Sequence, residues 1–237
     1  MPSQLNVQLT GRIGNLIFYK QGDKYRIRTA PDKVKQTKAT KKRAGEFGKA
    51  SRMGASLRQQ LLPVIPFPAD NKMQTRLVSV LFQWLRSGYD PVLHCDDVPL
   101  VNNFQFTEGY SITERWTIPL LVTIAEPGLL ELKIPAFVPA KAISAPAGTV
   151  SVKCNIAVAG CNVETGIATG GISTSIVYEY NETEVAERIV PLPVNTTAGS
   201  LVVTAISLEY NFIKNGHLEK TKNKAFMPSG VVSAMYL

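Results

Sequence analysis

A chain of 237 residues with 45% hydrophobic and 19% charged residues is long and apolar enough to bury a sizeable core, which excludes a disordered composition. Its 26 basic and 18 acidic residues give a net charge of +8, but residues 12–58 hold fourteen Lys or Arg against three acids, Asp23, Asp32 and Glu46. That stretch alone carries +11 and leaves −3 on the rest, so the positive patch points to a polyanion or to an acidic face of a neighbouring subunit.

The three cysteines, Cys95, Cys154 and Cys161, are too few and odd in number for a disulfide scaffold, and read as reduced thiols. The opening residues lack the basic-then-apolar pattern of a secretion signal, and the longest apolar runs fall short of the roughly 20 residues a membrane helix needs. The expected location is the cytoplasm or an assembled particle, with no membrane partner.

Gly11-Arg12-Ile13-Gly14 leads into 15–20 (NLIFYK), then Gln21-Gly22-Asp23, then 24–29 (KYRIRT). Two arms rich in Ile, Tyr, Phe and Leu around a three-residue glycine-containing connection predict a β-hairpin. The period of two puts Lys24, Arg26 and Arg28 on one face and Tyr25, Ile27 and Thr29 on the other. Such a cationic row either tracks phosphates or is a solvated edge that deters pairing. Gly11 suits a turn and Gly14 a bulge or a close backbone approach; the Gly-x-x-Gly pair lacks the Gly-Lys-Ser/Thr ending of a phosphate loop.

Residues 33–43 then carry six cations and no acid. Thr40 can cap a helix whose apolar stripe is Ala44, Phe47, Ala50, Met53 or Gly54, Leu57 and Leu61, stopped by Pro63. Its small residues, Ala50, Ser51, Gly54, Ala55 and Ser56, favour close helix packing within or between subunits. Pro63, Pro66 and Pro68 make an extended connector. Asp70 can cap a second helix over 72–87, with a stripe of Met73, Leu77, Val80, Leu81, Trp84 and Leu85 and Gly88 as its C′ residue.

From residue 98 helical spacing gives way to short β-rich runs at 103–106, 116–124, 129–134, 149–157, 172–180, 186–190, 201–211 and 231–236. These imply an antiparallel, immunoglobulin-like β-sandwich. Val150, Val152, Cys154, Ile156 and Val158 alternate with Ser151, Lys153 and Asn155, which turns Cys154 into the core. The fold class is therefore α+β, divided into a basic arm of hairpin and two helices at 1–97 and a β-sandwich at 98–237.

The order GRIGNLIFYKQGDKYRIRTAP, then KQTKATKKRAGEFGKAS, and late LVVTAISLEYNFIKNGHLEKTKNKAF, resembles a Bacteroidetes-type protein family that joins a basic N-terminal hairpin and helix to a β-sandwich. The likeness is most specific in Gly-x-x-Gly-Asn, the aromatic-Lys pair, Gly-Asp-Lys and Arg-Thr-Ala-Pro. It implies the architecture and brings no catalytic residue.

His94-Cys95-Asp96-Asp97 is the one dense group of metal-ligating types, and neighbours along an extended chain diverge instead of converging on an ion. Cys154 and Cys161 lack a second ligand pair, and His217, beside Asn215-Gly216, reads as a turn residue without a nucleophile partner. The sequons at Asn181 and Asn195 are set aside in the absence of a secretion signal. No enzyme, cofactor, metal or small-molecule substrate is expected.

Two non-enzymatic functions follow. In the preferred one the protein is a self-assembling structural subunit of a filament, sheath or phage-like particle, whose arm docks on a second copy. The alternative is a weakly sequence-selective nucleic-acid-binding or nucleic-acid-coating protein. The contact residues expected in either case are Arg12, Tyr19, Lys20, Lys24, Arg26, Arg28, Lys33, Lys35, Lys38, Lys41, Lys42, Arg43, Phe47 and Leu57.

Overall fold

The computed structural model describes residues 9–30, 36–66, 70, 72–87, 98–195, 197–221 and 223–237. The chain divides into two compact units, residues 1–42 and 43–237.

In the first unit, β1 (Gly11–Ile13), β2 (Leu16–Gln21) and β3 (Lys24–Thr29) form an antiparallel three-stranded sheet in that order. Gln21 pairs with Lys24, so the β2–β3 loop is the two residues Gly22-Asp23, one shorter than the sequence suggested. Gly22 at φ 60 supplies the positive φ that a type II′ turn demands at its first central position. Gly14 does the same between β1 and β2 at φ 57, with open space where a Cβ would lie. It is therefore a turn residue, and the close backbone approach expected there is not found.

Helix α1 (Lys38–Gln60) starts two residues before the expected cap. Thr37 takes that role, its hydroxyl accepting the backbone N–H of Thr40 at 3.1 Å. Ala50, Met53, Gly54 and Leu57 form the buried stripe, and Pro63 follows the helix end. Helix α2 (Met73–Arg86) has no side-chain cap. Asp70 instead accepts the Lys72 N–H at 2.9 Å and pairs with Arg76 at 2.8 Å, and these two bonds hold its carboxyl below the usual carboxylate range. Gly88 lies outside the described residues. A Cβ on Gly54 would sit 3.0 Å from Val78 Cγ2, so the small-residue stripe serves helix approach within the chain.

The β-rich part begins after α3 (Ile112–Arg115). One sheet is β4 (Leu121–Glu126), β5 (Leu129–Ile134) and β8 (Arg188–Pro193) in that order. The other places β6 (Thr149–Asn162) between β7 (Ala168–Glu179) and β9 (Ser200–Lys214), after the short helix α4 (Pro139–Ala142). The far edge of β9 is shared by β10 (His217–Lys220), which pairs with its end, and β11 (Ser229–Tyr236), which pairs with its first half. Three strands of one sheet facing four successive positions of the other, joined by crossovers, is the division of an immunoglobulin-type sandwich. The expected α+β class with an antiparallel sandwich is present.

Two buried clusters hold this unit together. Between the sheets, Leu130, Leu132 and Ile134 meet Val152, Cys154, Ile156, Val158, Ile206 and Leu208. On the other face of the large sheet, Met53, Leu57, Leu61, Leu77, Leu81 and Trp84 pack on Ala157, Ala159, Cys161, Val203 and Ala205. Each of the Leu, Ile, Val and Met side chains among them contributes on the order of 1.5–3 kcal/mol by leaving water. The two helices are thus a third layer of the sandwich unit, and the boundary falls near residue 42 instead of the expected 97/98.

Several strand expectations shift. Residues 103–106 make only an isolated bridge, Gln105 to Gly230, and Trp116 a bridge to Ile143, so β4 begins at Leu121. Val150 is 37% exposed while Asn155 is buried, because from residue 155 onward β6 is covered on both faces. Cys154 points between the sheets as expected and Cys161 toward the helices.

Candidate functional site

The strand register sorts the basic arm into two chemically opposed faces. Arg12 lies opposite Ile17, Ile17 opposite Arg28, Tyr19 opposite Arg26, and Gln21 opposite Lys24. Directly paired residues share a face. One face therefore carries Arg12, Lys24, Arg26 and Arg28 along its two outer strands, with Ile17 and Tyr19 down the middle. The opposite face carries Ile13, Leu16, Phe18, Tyr25 and Ile27, together with Lys20.

Cations sit over rings on both faces: the Arg28 guanidinium lies 5.7 Å from the Tyr19 ring and the Lys20 ammonium 5.9 Å from Tyr25. Each contact stabilises by about 0.5–1 kcal/mol at an exposed site and holds a flat ring beside a positive charge. The Arg12 Nε donates to the Gly14 carbonyl at 3.0 Å, which fixes its guanidinium over the first turn. Among the described residues nothing covers either face: Arg12, Lys24, Arg26 and Arg28 are exposed, and Ile13 and Ile27 are each 61% exposed.

Lys38, Lys41, Lys42 and Arg43 occupy the exposed first turns of α1, where no acid is present. Cations at the positive end of a helix dipole are locally unfavourable by about 0.3–1 kcal/mol each, a cost that a negative partner removes. Lys33 and Lys35 lie outside the described residues, as do His94, Cys95, Asp96 and Asp97.

Two apolar candidates separate. Phe47 is 52% exposed and meets the Phe82 ring edge-on at 5.7 Å, leaving it open to a partner. Leu57 is 1% exposed within the helix–sheet core, so its expected contact role is overturned. The missed members are Ile13 and Leu16: Ile13 lies on β1, which is too short to be recognised as a strand, while Leu16 opens β2, where its alternation with Ile17 was in the sequence.

Elsewhere, a cavity of about 380 Å³ is lined by Ile112, Trp116, Ile118, Leu120, Ile206 and Val231 among others, with no charged residue among the described ones. Among the described residues no three His, Cys, Asp or Glu side chains are grouped to hold a metal ion, and no helix is long and apolar enough to cross a membrane. Burial pushes the Cys154 and Cys161 thiols up to about 12.

No protein-family model, curated protein or solved structure with which the chain was compared matches it.

Proposed function

We propose that the protein is a non-enzymatic, self-assembling structural subunit of a filament, sheath or particle, whose basic arm docks on a neighbouring copy. The observation that carries this reading is the three-stranded arm with both faces uncovered, one cationic and one apolar. A sheet that buries neither side gains its order from a partner, because exposed Ile13, Leu16 and Ile27 would otherwise stay in water. Sedimentation velocity and negative-stain microscopy of the whole chain at low salt test it. Concentration-dependent particles that dissolve as salt rises are expected; a single slow-sedimenting species at high concentration rejects the reading.

The pairs Arg28–Tyr19 and Lys20–Tyr25 favour one second reading, a coat on single-stranded nucleic acid in which cations meet phosphates and rings stack on bases. Filter binding across a salt series distinguishes it: affinity falling steeply with salt supports it, and binding indifferent to salt rejects it.

A further inference from the structure

We infer that the surface receiving the arm is the outer face of the β4-β5-β8 sheet on a second copy of this chain. The inference rests on the assembly reading and names its receptor. The inner face of that sheet is fixed by Leu130, Leu132, Ile134, Val190 and Leu192, which are buried in the sandwich core. The register then lays out the outer face in three rows: Leu121–Lys133–Ile189, Thr123–Glu131–Pro191, and Glu126–Leu129–Pro193.

This outer face is open and mixed in character. Leu121 is 57% and Ile189 51% exposed, and Pro191 and Pro193 are exposed beside them. The one cation among its described residues, Lys133, is already paired with Glu187 at 3.1 Å, so Glu126 and Glu131 are left to set its sign as negative. The cationic arm face is its counterpart, with four positive side chains flanking Ile17 and Tyr19. A negative face with apolar rows and a positive face with an apolar centre attract, whereas either face against its own kind repels.

The dimensions match too. The receptor sheet has three strands of six residues and the arm has two of six beside the three-residue β1, which makes each face about 20 Å long and about 10 Å across, with the β1 side of the arm half that length. Two such faces pack as sheet on sheet. Docking across the β8 edge is opposed by Pro191 and Pro193, which offer no N–H donors to an added strand, so the face and not that edge is the receptor. The occupant is the arm of a second copy, on the charge complementarity of the two faces and the assembly reading; an arm closing on its own chain would leave the parent unassembled. Because donor and receptor are different surfaces, the contact is head-to-tail, and its repetition propagates from copy to copy. A contact of this size is weaker than the roughly 1,200–2,000 Å² of a stable standalone interface, so the assembly depends on repetition and on low salt.

A charge-swap experiment on the whole chain tests the receptor. Lys24→Glu/Arg26→Glu/Arg28→Glu leaves only Arg12 positive against three carboxylates and makes an arm that the face repels, and Glu131→Lys/Glu187→Lys makes a face that the arm repels. Each variant alone is expected to stay at the unassembled sedimentation coefficient under conditions where the parent chain forms particles. An equimolar mixture is expected to restore particles, since each reversed surface then finds its opposite on the other variant. A misfolded variant could not be rescued in this way, and circular dichroism of each variant checks the fold directly. If the face variant assembles like the parent, or if the mixture fails to assemble, the receptor is overturned while the assembly reading survives. A parent chain that never assembles overturns both.

Discussion

Leu57 and Phe47 lie ten positions apart on one helix and have opposite roles, decided by what covers them. Leu57 is 1% exposed among Met53, Leu61 and the small residues of β6, so Leu57→Ala is expected to cost about 2–5 kcal/mol in urea unfolding. Phe47→Ala removes an exposed ring held by one edge contact and is expected to leave the unfolding midpoint nearly in place while weakening assembly. The buried thiols give a pH-dependent expectation. Cys154 and Cys161 keep their protons up to about 12 when folded, whereas an unfolded cysteine ionises near pH 8.5. Between those values the unfolded chain binds fewer protons than the folded one, so stability contributed by the neutral thiols is lost as pH rises through that window. Native protein at pH 8 is expected to leave both thiols unlabelled by a thiol-reactive probe, and urea-unfolded protein to expose them; peptide mass spectrometry reads the difference.

At the scale of elements, the contact between α1 and the turn joining β6 to β7 depends on one glycine. Gly166 has φ +71, and a Cβ there would lie 2.6 Å from Arg52 Cβ, an atom bonded to the helix backbone that cannot swing aside. Around it, Arg52 Nε donates to the Thr165 carbonyl at 3.1 Å and Lys49 pairs with Glu164. Gly166→Ala is expected to destabilise by about 1–3 kcal/mol in a denaturant titration, through left-handed strain and displacement of the helix. The same region shows what the sequence could convey. The 3.6-residue stripe of α1 was legible, but what it packs on was not, because stripes carry no address. A signal did exist in β6: from Ile156 to Cys161 the run IAVAGC is apolar at every position, as in a strand covered on both sides, and Ala157, Ala159 and Cys161 on one face leave room for helices. Strand β10 stayed invisible because His217–Lys220 is short and wholly exposed, with no buried side to impose alternation. The cationic face of the arm was readable from Lys24, Arg26 and Arg28 alone, since a period of two needs no tertiary information.

For the whole molecule, the division at residue 42 predicts an asymmetry between stability and assembly. Among the described residues neither buried cluster has a member before Ala50, so a chain beginning at Gln36, which keeps the Thr37 cap, is expected to keep its thermal unfolding midpoint and to lose particle formation, as read by calorimetry and sedimentation. Retention of assembly by that truncation would move the contact to the sandwich itself.

The closing of the sandwich also bears on the order in which its parts are made. Ser229 bonds the Val64 carbonyl, the Val98 N–H reaches the Ala234 carbonyl, and β11 completes the edge of β9. Residues 64 and 98 therefore find these partners only after more than a hundred further residues have been synthesised, while the arm needs only its own two-residue turns and closes on the microsecond scale of a hairpin. During translation the arm is charged while the body that follows it is still open, and its proposed receptor exists only once β8 (Arg188–Pro193) has emerged. On that reading the arms of neighbouring nascent chains repel one another, and contacts between copies begin after the body has closed.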